Sequence, residues 1–424
     1  MKTTTMAAAA ILFFLAAPAL AQTISLDTGF GANGITALPD FNAGEIAIDR
    51  AGRILVAGWR ATGTGTHQKD FAVARLRADG GLDSSFGTGG IVTLDREGNA
   101  DWAHWVGVTS YGKIMVAGWA DTAAVQLAVV RLNDNGSLDT SFGRGGWATM
   151  CADAYGFAGA LTETDEVFVA GRSGNAPGRA IISRTDPSGN PDPAASCAVA
   201  SVNAGGHTAY GIAVAQDHVI IGGEAGNGMF LARFRGDPTT HRLVQDTAWG
   251  DNGVAYVTPA FLGGTGSYRA FGRGGIARQA DGKVLLAGWD NNGPLVLRFN
   301  PTTGQLDTRF HTGIVRVPMP GGQVGDIAAT SVGVFLAAGA KLVCLGPTGV
   351  GLTSCGSGGL LTLGGRHANA LLVDAQGRVV MSGSDGAGTA IVFRYSAPTA
   401  NPPPPPPRTG LRAPRRRTVR PVRR

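Results

Sequence analysis

The feature that most constrains this chain is a short turn that it repeats. Residues 136–146 read GSLDTSFGRGG, and near copies stand elsewhere as ISLDTGFGANG, GGLDSSFGTGG and GQLDTRFHTG. The Asp of the turn recurs as Asp27, Asp83, Asp139, Asp192, Asp246 and Asp307, with Thr353 in the seventh place. The gaps between copies are 56, 56, 53, 54, 61 and 46 residues. A period in this range belongs to an array of supersecondary units that bury their faces against one another, not to a string of independent domains.

Each unit holds further recurring parts. An apolar strand ends in Gly in all seven copies, at Gly58, Gly118, Gly171, Gly223, Gly288, Gly339 and Gly383, as in GRILVAGW and GKIMVAGW. A Gly fixed at a strand end marks a bulge or a close backbone approach that leaves no room for a Cβ. Another apolar run precedes this strand through a hairpin turn, a third strand such as FAVARL or LAVVRL follows it, and a run such as GIVTL after the Phe-Gly turn supplies a fourth. The pattern predicts an all-β fold, a seven-bladed β-propeller of four-stranded antiparallel blades closed into a ring. Composition agrees: 66 Gly and 16% charged residues beside 44% hydrophobic ones fit many short strands joined by tight turns and exclude wholesale disorder.

The turn LDSSFGTGG, the strand GKIMVAGW and the segment LAVVRLNDNGSLDTSFG resemble the delta-60 repeat family of bacterial exported β-propeller-like proteins. The match runs from about Leu26 to Tyr395. The resemblance implies architecture and export, and it brings no general activity or catalytic set. Copies three, four and six depart from the pattern in the turn (PDPAASC, QDTAWGDNG, LTSCGSGG), so local distortion is expected there.

Every third strand but one carries an Arg ahead of the next turn's Asp. The pairs are Arg75 with Asp83, Arg131 with Asp139, Arg184 with Asp192, Arg233 with Asp246 and Arg298 with Asp307. A charge-assisted hydrogen bond stapling the turn to its own strand explains the pairing, worth about 1.5–3 kcal/mol when partly desolvated. In copy six the Arg, Asp and Phe positions are Cys344, Thr353 and Cys355, so a disulfide there is expected to replace the ion pair. Arg394 has no downstream Asp and Asp27 no upstream Arg. Their pairing would join the two ends of the array.

The N-terminal residues 1–21 read as a signal peptide: Lys2, an apolar run too short to span a bilayer comfortably, and a small-residue cleavage site before Gln22. No other stretch reads as a transmembrane segment, and the mature chain is expected to be periplasmic, cell-surface or extracellular. In an oxidising compartment the four cysteines can pair, with Cys344–Cys355 and Cys151–Cys197 the preferred connectivity and four buried free thiols the alternative. The propeller is expected over residues 22–397, a Pro-rich linker over 398–407 and a disordered Arg-rich tail over 408–424. Eight of the 36 basic residues lie in that tail; without them and Lys2, 27 basic side chains face 30 acidic ones. The basic character is therefore local, and Arg415, Arg416, Arg417, Arg423 and Arg424 suit attachment to an anionic envelope polymer. The tail has no aromatic residue to stack on bases, so no sequence-specific nucleic-acid partner is expected.

A propeller is a scaffold, so function is sought on a surface. The residues after the seven equivalent glycines are Trp59, Trp119, Arg172, Glu224, Trp289, Ala340 and Ser384, which symmetry places on one rim. Indoles beside an Arg and a Glu suit a glycan or a protein partner, and packing on the blade below is the competing role. Trp102, His104 and Trp105 read as core rather than site, and Tyr268, Arg269 and Phe271 repeat the theme in blade five. No nucleophile-elbow, phosphate-loop or complete calcium-loop motif stands in the sequence, and NDNG and GDNG lack the spaced carboxylates of a calcium loop. No catalytic set, metal site or cofactor is therefore assigned. The expected function is a non-catalytic binding or scaffold module at the cell envelope, with an exported propeller enzyme acting on polysaccharide as the alternative.

Overall fold

The computed structural model describes residues 23–62, 69–174, 177–191, 197–202, 205–236, 242–258, 260–261 and 275–398. Residues 1–22, which hold the expected signal peptide, residues 399–424, and Asp192, Tyr268, Arg269 and Phe271 lie outside them. Seven antiparallel sheets follow one another as blades. Blade 1 is Asn42–Ile48, Ile54–Ala61, Lys69–Leu76 and Ile91–Leu94, counted from the innermost strand outwards. Blade 2 repeats it as Asp101–Val108, Ile114–Asp121, Val125–Leu132 and Trp147–Ala152. The innermost strands pack against one another in sequence, and that of blade 7 (His367–Val373) packs on that of blade 1.

The ring closes by strand exchange. Ile35–Leu38, from the N-terminal part of the chain, pairs with Ala390–Tyr395 as the outermost strand of blade 7. Blades 3, 4 and 6 depart from the standard unit, as their irregular turns predict. The outermost strand of blade 3 is only Ala198–Val199, blade 4 adds Leu243–Gln245, and blade 6 carries two short 3-10 turns.

Strand alternation builds the cores between blades. In the second strand of blade 1, Leu55 and Ala57 enter the core shared with blade 2, whereas Ile54 and Val56 enter the one shared with blade 7. Both faces of the strand are thus buried, which is why it reads as a continuous apolar run. Each fully buried Val, Leu or Ile there contributes ~1.5–3 kcal/mol.

The recurrent strand-end Gly has a steric cause. A Cβ on Gly118 would lie 1.9 Å from the Trp102 carbonyl oxygen, and Gly58, Gly171, Gly223 and Gly383 face the equivalent carbonyls of Asn42, Tyr155, Thr208 and His367 at 1.8–2.1 Å. The register slips by one residue beside this contact, for instance between Ala103 and Trp105. Gly339 differs, with a positive φ and open space around it.

The Asp turns lie on the lower face, opposite the strand-end glycines. Arg75 Nε donates to Asp83 Oδ2 at 2.8 Å, Arg131 to Asp139 at 2.8 Å, Arg233 to Asp246 at 2.8 Å and Arg298 to Asp307 at 3.0 Å. Arg394 Nε donates to Asp27 Oδ2 at 2.8 Å across the closure. Arg184 lies 3.4 Å from Glu166, and its expected partner Asp192 lies outside the described residues.

The same guanidinium also reaches the following blade. The Nη1 group donates to Pro187 O from Arg131 (2.7 Å), to Pro347 O from Arg298 (2.9 Å), to Ala78 O from Arg394 (2.8 Å) and, from Arg75, to Asp134 O. The Phe of the turn lies beneath it, with Phe86, Phe142, Phe310 and Phe30 centred 4.5–4.8 Å from the guanidinium carbon. The turn therefore clamps neighbouring blades together as well as stapling its own strand. Blade 6, which lacks the Arg, Asp and Phe together, has the Cys344–Cys355 disulfide in that place. The second disulfide, Cys151–Cys197, joins the outer strand of blade 2 to blade 3.

Candidate functional site

The upper face collects the residues next to the strand-end glycines. Cross-strand register places Trp59 opposite Asn42, Trp119 opposite Trp102, and Arg172 opposite Tyr155. Blade curvature then brings partners from neighbouring blades together. Trp59 and Trp102 have ring centroids 5.2 Å apart, Trp102 stacks on Trp119 at 5.7 Å and 15°, and Trp119 meets the edge of Tyr155 at 5.3 Å. The result is an aromatic arc running from blade 1 to blade 3, all four rings half-buried.

Cations flank the arc. Lys69 Nζ lies 4.7 Å from the centroids of both Trp59 and Trp102, and the Arg172 guanidinium lies 5.3 Å from Tyr155. Each is close enough for cation–π attraction. Trp59 Nε1 and Arg172 Nε are buried without a hydrogen-bond partner among the described residues. Trp59 also walls a cleft of about 600 Å³ between blades 7 and 1, with Phe41, Asn42, Arg60 and Thr389.

The expected rim is thus divided. Trp59, Trp119 and Arg172 come together, and Trp102, read from sequence as core, is the ring that links them. Trp289 packs instead against the core between blades 5 and 6, and Glu224 stands opposite Thr208 in blade 4. Trp105 packs against the core of blades 2 and 3. In blades 2, 3 and 4 the residues at the register shift of the innermost strands are His104, Phe157 and Tyr210, and Phe157 lies 5.5 Å from His104 and 5.2 Å from Tyr210. These three occupy equivalent places beside the strand-end glycines, a signal legible only once the bulge is known.

A second constellation has no linear signature. Asp70, Asp95 and Asp101 each place a carboxylate oxygen within 4.8 Å of the others, at the upper edge between blades 1 and 2. Asp70 and Asp101 are buried and Asp95 is exposed. Burial pushes the Asp101 carboxyl up to about 7, helped by the negative charges of Asp70 and Asp95 and opposed by the Arg96 and Asp121 backbone N–H groups. Burial also raises Asp70, against a hydrogen bond from Thr62. The expectation of no metal-ligating group came from linear motifs, whereas these acids belong to a strand of blade 1, the connection after it and the first residue of blade 2.

Three segments, 52–86, 112–142 and 279–310, match a family model described as a domain of unknown function (DUF5122) β-propeller. The match supports β-propeller repeats over those three segments. No curated protein matches the chain. Among solved structures, a catalytically inactive virginiamycin B lyase from Staphylococcus aureus, crystallised with quinupristin, aligns with a TM-score of 0.53 at 10% identity, over 85% of this chain and 98% of that one. The β-propeller domain of the Trilobed protease from Pyrococcus furiosus aligns at 0.44 and 9% identity, over 85% and 94%. A polysaccharide lyase, ulvan lyase, aligns at 0.40 and 11% identity, over 86% and 96%. The first likeness extends to the fold.

Proposed function

We propose that the chain is an exported binding propeller of the delta-60 repeat type that holds a glycan on its upper face, along the arc of Trp59, Trp102, Trp119 and Tyr155. The arc itself carries this reading. Half-buried indoles in a row offer apolar faces for sugar rings, and Lys69, Arg172, Asn42 and Arg60 supply polar groups at the edges and in the adjoining cleft. The two disulfides and the lack, among the described residues, of any helix long and apolar enough to cross a membrane are compatible with export. The Arg-rich tail adds electrostatic attachment to anionic envelope polymer.

The test is a glycan and envelope-polymer array, read with the mature chain and with a form ending at Ala400, at low and high salt. Binding that survives truncation and salt, and falls about tenfold or more in Trp59→Ala or Trp119→Ala with an unchanged circular dichroism spectrum, supports the upper face. Binding lost with the tail makes the tail the adhesive element. Unfolding of both Trp variants without a binding phenotype makes the indoles core. Polysaccharide cleavage is the second reading, favoured by His104 and Tyr210 flanking Phe157 on the innermost strands, and chromatography of array-positive polymers after incubation would reveal shortened products.

A further inference from the structure

We propose that Asp70, Asp95 and Asp101 form a binding site for a hard divalent cation of the calcium type. The site stands independently of the glycan reading. Three carboxylate oxygens meet within 4.8 Å, and two of the three side chains are buried. Like charges converging away from water repel one another, and the separation is held only if a cation or a proton opposes that repulsion; burial favours the proton on Asp101, which a bound divalent cation would displace. Among the described residues no Lys or Arg forms a salt bridge to any of the three.

A second observation points to a ligand. Asp101 is fully buried, and its two oxygens have different fates: Oδ2 accepts the Arg96 backbone N–H at 2.7 Å, whereas among the described residues Oδ1 has no hydrogen-bond partner, the nearby Asp121 N–H donating to Ala100 O at 3.1 Å. An ionised buried oxygen left without a partner is costly, and a cation supplies what a hydrogen bond does not.

The dimensions fit the ion. Calcium binds oxygen at about 2.3–2.6 Å, so ligands on opposite sides of one ion stand about 4.6–5.2 Å apart. Three oxygens within 4.8 Å of one another lie close to such a shell: an equilateral set shares a centre at about 2.6 Å once its sides are about 4.5 Å, a shift of a few tenths of an ångström at most. The exposed side of Asp95 leaves the remaining positions to water, an irregular mixed shell that calcium accepts and magnesium, which demands a near-ideal octahedron, accepts less readily. The position also matters for the face above. Asp101 directly precedes Trp102 and Asp70 directly follows Lys69, so the cation would fix the two strand ends that carry the centre of the aromatic arc.

The experiment uses the mature chain freed of metal with a chelator. Terbium is the probe, because a bound lanthanide in a calcium site beside Trp102 and Trp59 is excited through the indoles. The expected result is a terbium signal that saturates at one ion per chain, is displaced by calcium, and accompanies a calcium-dependent rise in melting temperature. Asp95→Asn and Asp101→Asn should each weaken terbium binding by about tenfold or more, while Glu163→Gln on the lower face leaves it unchanged. Asp95 is exposed, so its variant decides the matter if Asp101→Asn does not fold. No terbium signal in the parent chain, or an equal signal in Asp95→Asn, would overturn the proposal.

Discussion

The ring of Arg clamps on the lower face makes a quantitative demand on stability, and Arg75 is the sharpest place to apply it. Its side chain is 1% exposed; Nε binds Asp83, Nη2 binds Ser85 Oγ at 3.2 Å, and Nη1 reaches the Asp134 carbonyl of the next blade. Arg75→Met keeps an unbranched apolar stem but removes the charge and the guanidinium that lies over Phe86. Asp83 then keeps only its bonds from the Ser85 N–H (3.1 Å) and hydroxyl (2.6 Å). Breaking a buried pair costs about 3–5 kcal/mol, and those two surviving bonds place the expected loss near 3 kcal/mol. Asp83→Asn alone leaves the guanidinium with Ser85 Oγ, the Asp134 carbonyl and the more exposed Asp134 carboxylate, 3.3 Å from Nη1.

The double variant Arg75→Met/Asp83→Asn removes both charges, as blade 6 does naturally, and should be more stable than the sum of the singles by about 1.5 kcal/mol. Urea unfolding of the four proteins measures the cycle. Acid supplies an internal check. The Ser85 hydroxyl, then the Ser85 N–H and Arg75, hold the Asp83 carboxyl below its ordinary range against the effect of burial. A depressed carboxylate contributes stability above its unfolded pKa of about 3.9, and that contribution is lost as pH falls through the folded value. The Arg75→Met penalty should therefore shrink as pH falls below about 4. A single-variant loss under about 1 kcal/mol, or simple additivity in the cycle, would refute a buried, coupled clamp.

Two other changes probe different parts of the same fold. Gly118→Ala drives a methyl to within 1.9 Å of the Trp102 carbonyl, so it should destabilise by about 3 kcal/mol or more and alter the near-ultraviolet circular dichroism of the tryptophans. Replacing Cys344 and Cys355 with Ala opens a loop of 11-residue separation, and the chain-entropy relation gives a loss of about 3 kcal/mol by thermal or urea unfolding under non-reducing conditions.

Much of this architecture was legible because repetition turns one chain into its own alignment. The Asp spacing gave the number of blades, the strand-end Gly their phase, and the simultaneous loss of Arg, Asp and Phe in copy six the position of a disulfide. Local departures were also visible: PDPAASC and QDTAWGDNG foreshadow the short outer strand of blade 3 and the added strand of blade 4. Repetition could not tell Trp59 from Trp289, because equivalent places in two blades have different neighbours. Trp59 meets Trp102 from the next blade, whereas Trp289 settles against the core between blades 5 and 6.

By itself, the sequence determined what depends on short-range periodicity: strands, hairpins, the repeated turn and the closed count of units. The tertiary structure alone decided what depends on distances between blades. It carried Arg75, Arg131, Arg233, Arg298 and Arg394 across to a carbonyl of the following blade, turned Trp102 from an expected core residue into the centre of an arc, and gathered Asp70, Asp95 and Asp101 from separate segments. The physical reason is that a side chain's chemistry is set by whichever groups share its few ångströms of low-dielectric space, and in this propeller the cores and clamps between blades bring in groups from another repeat.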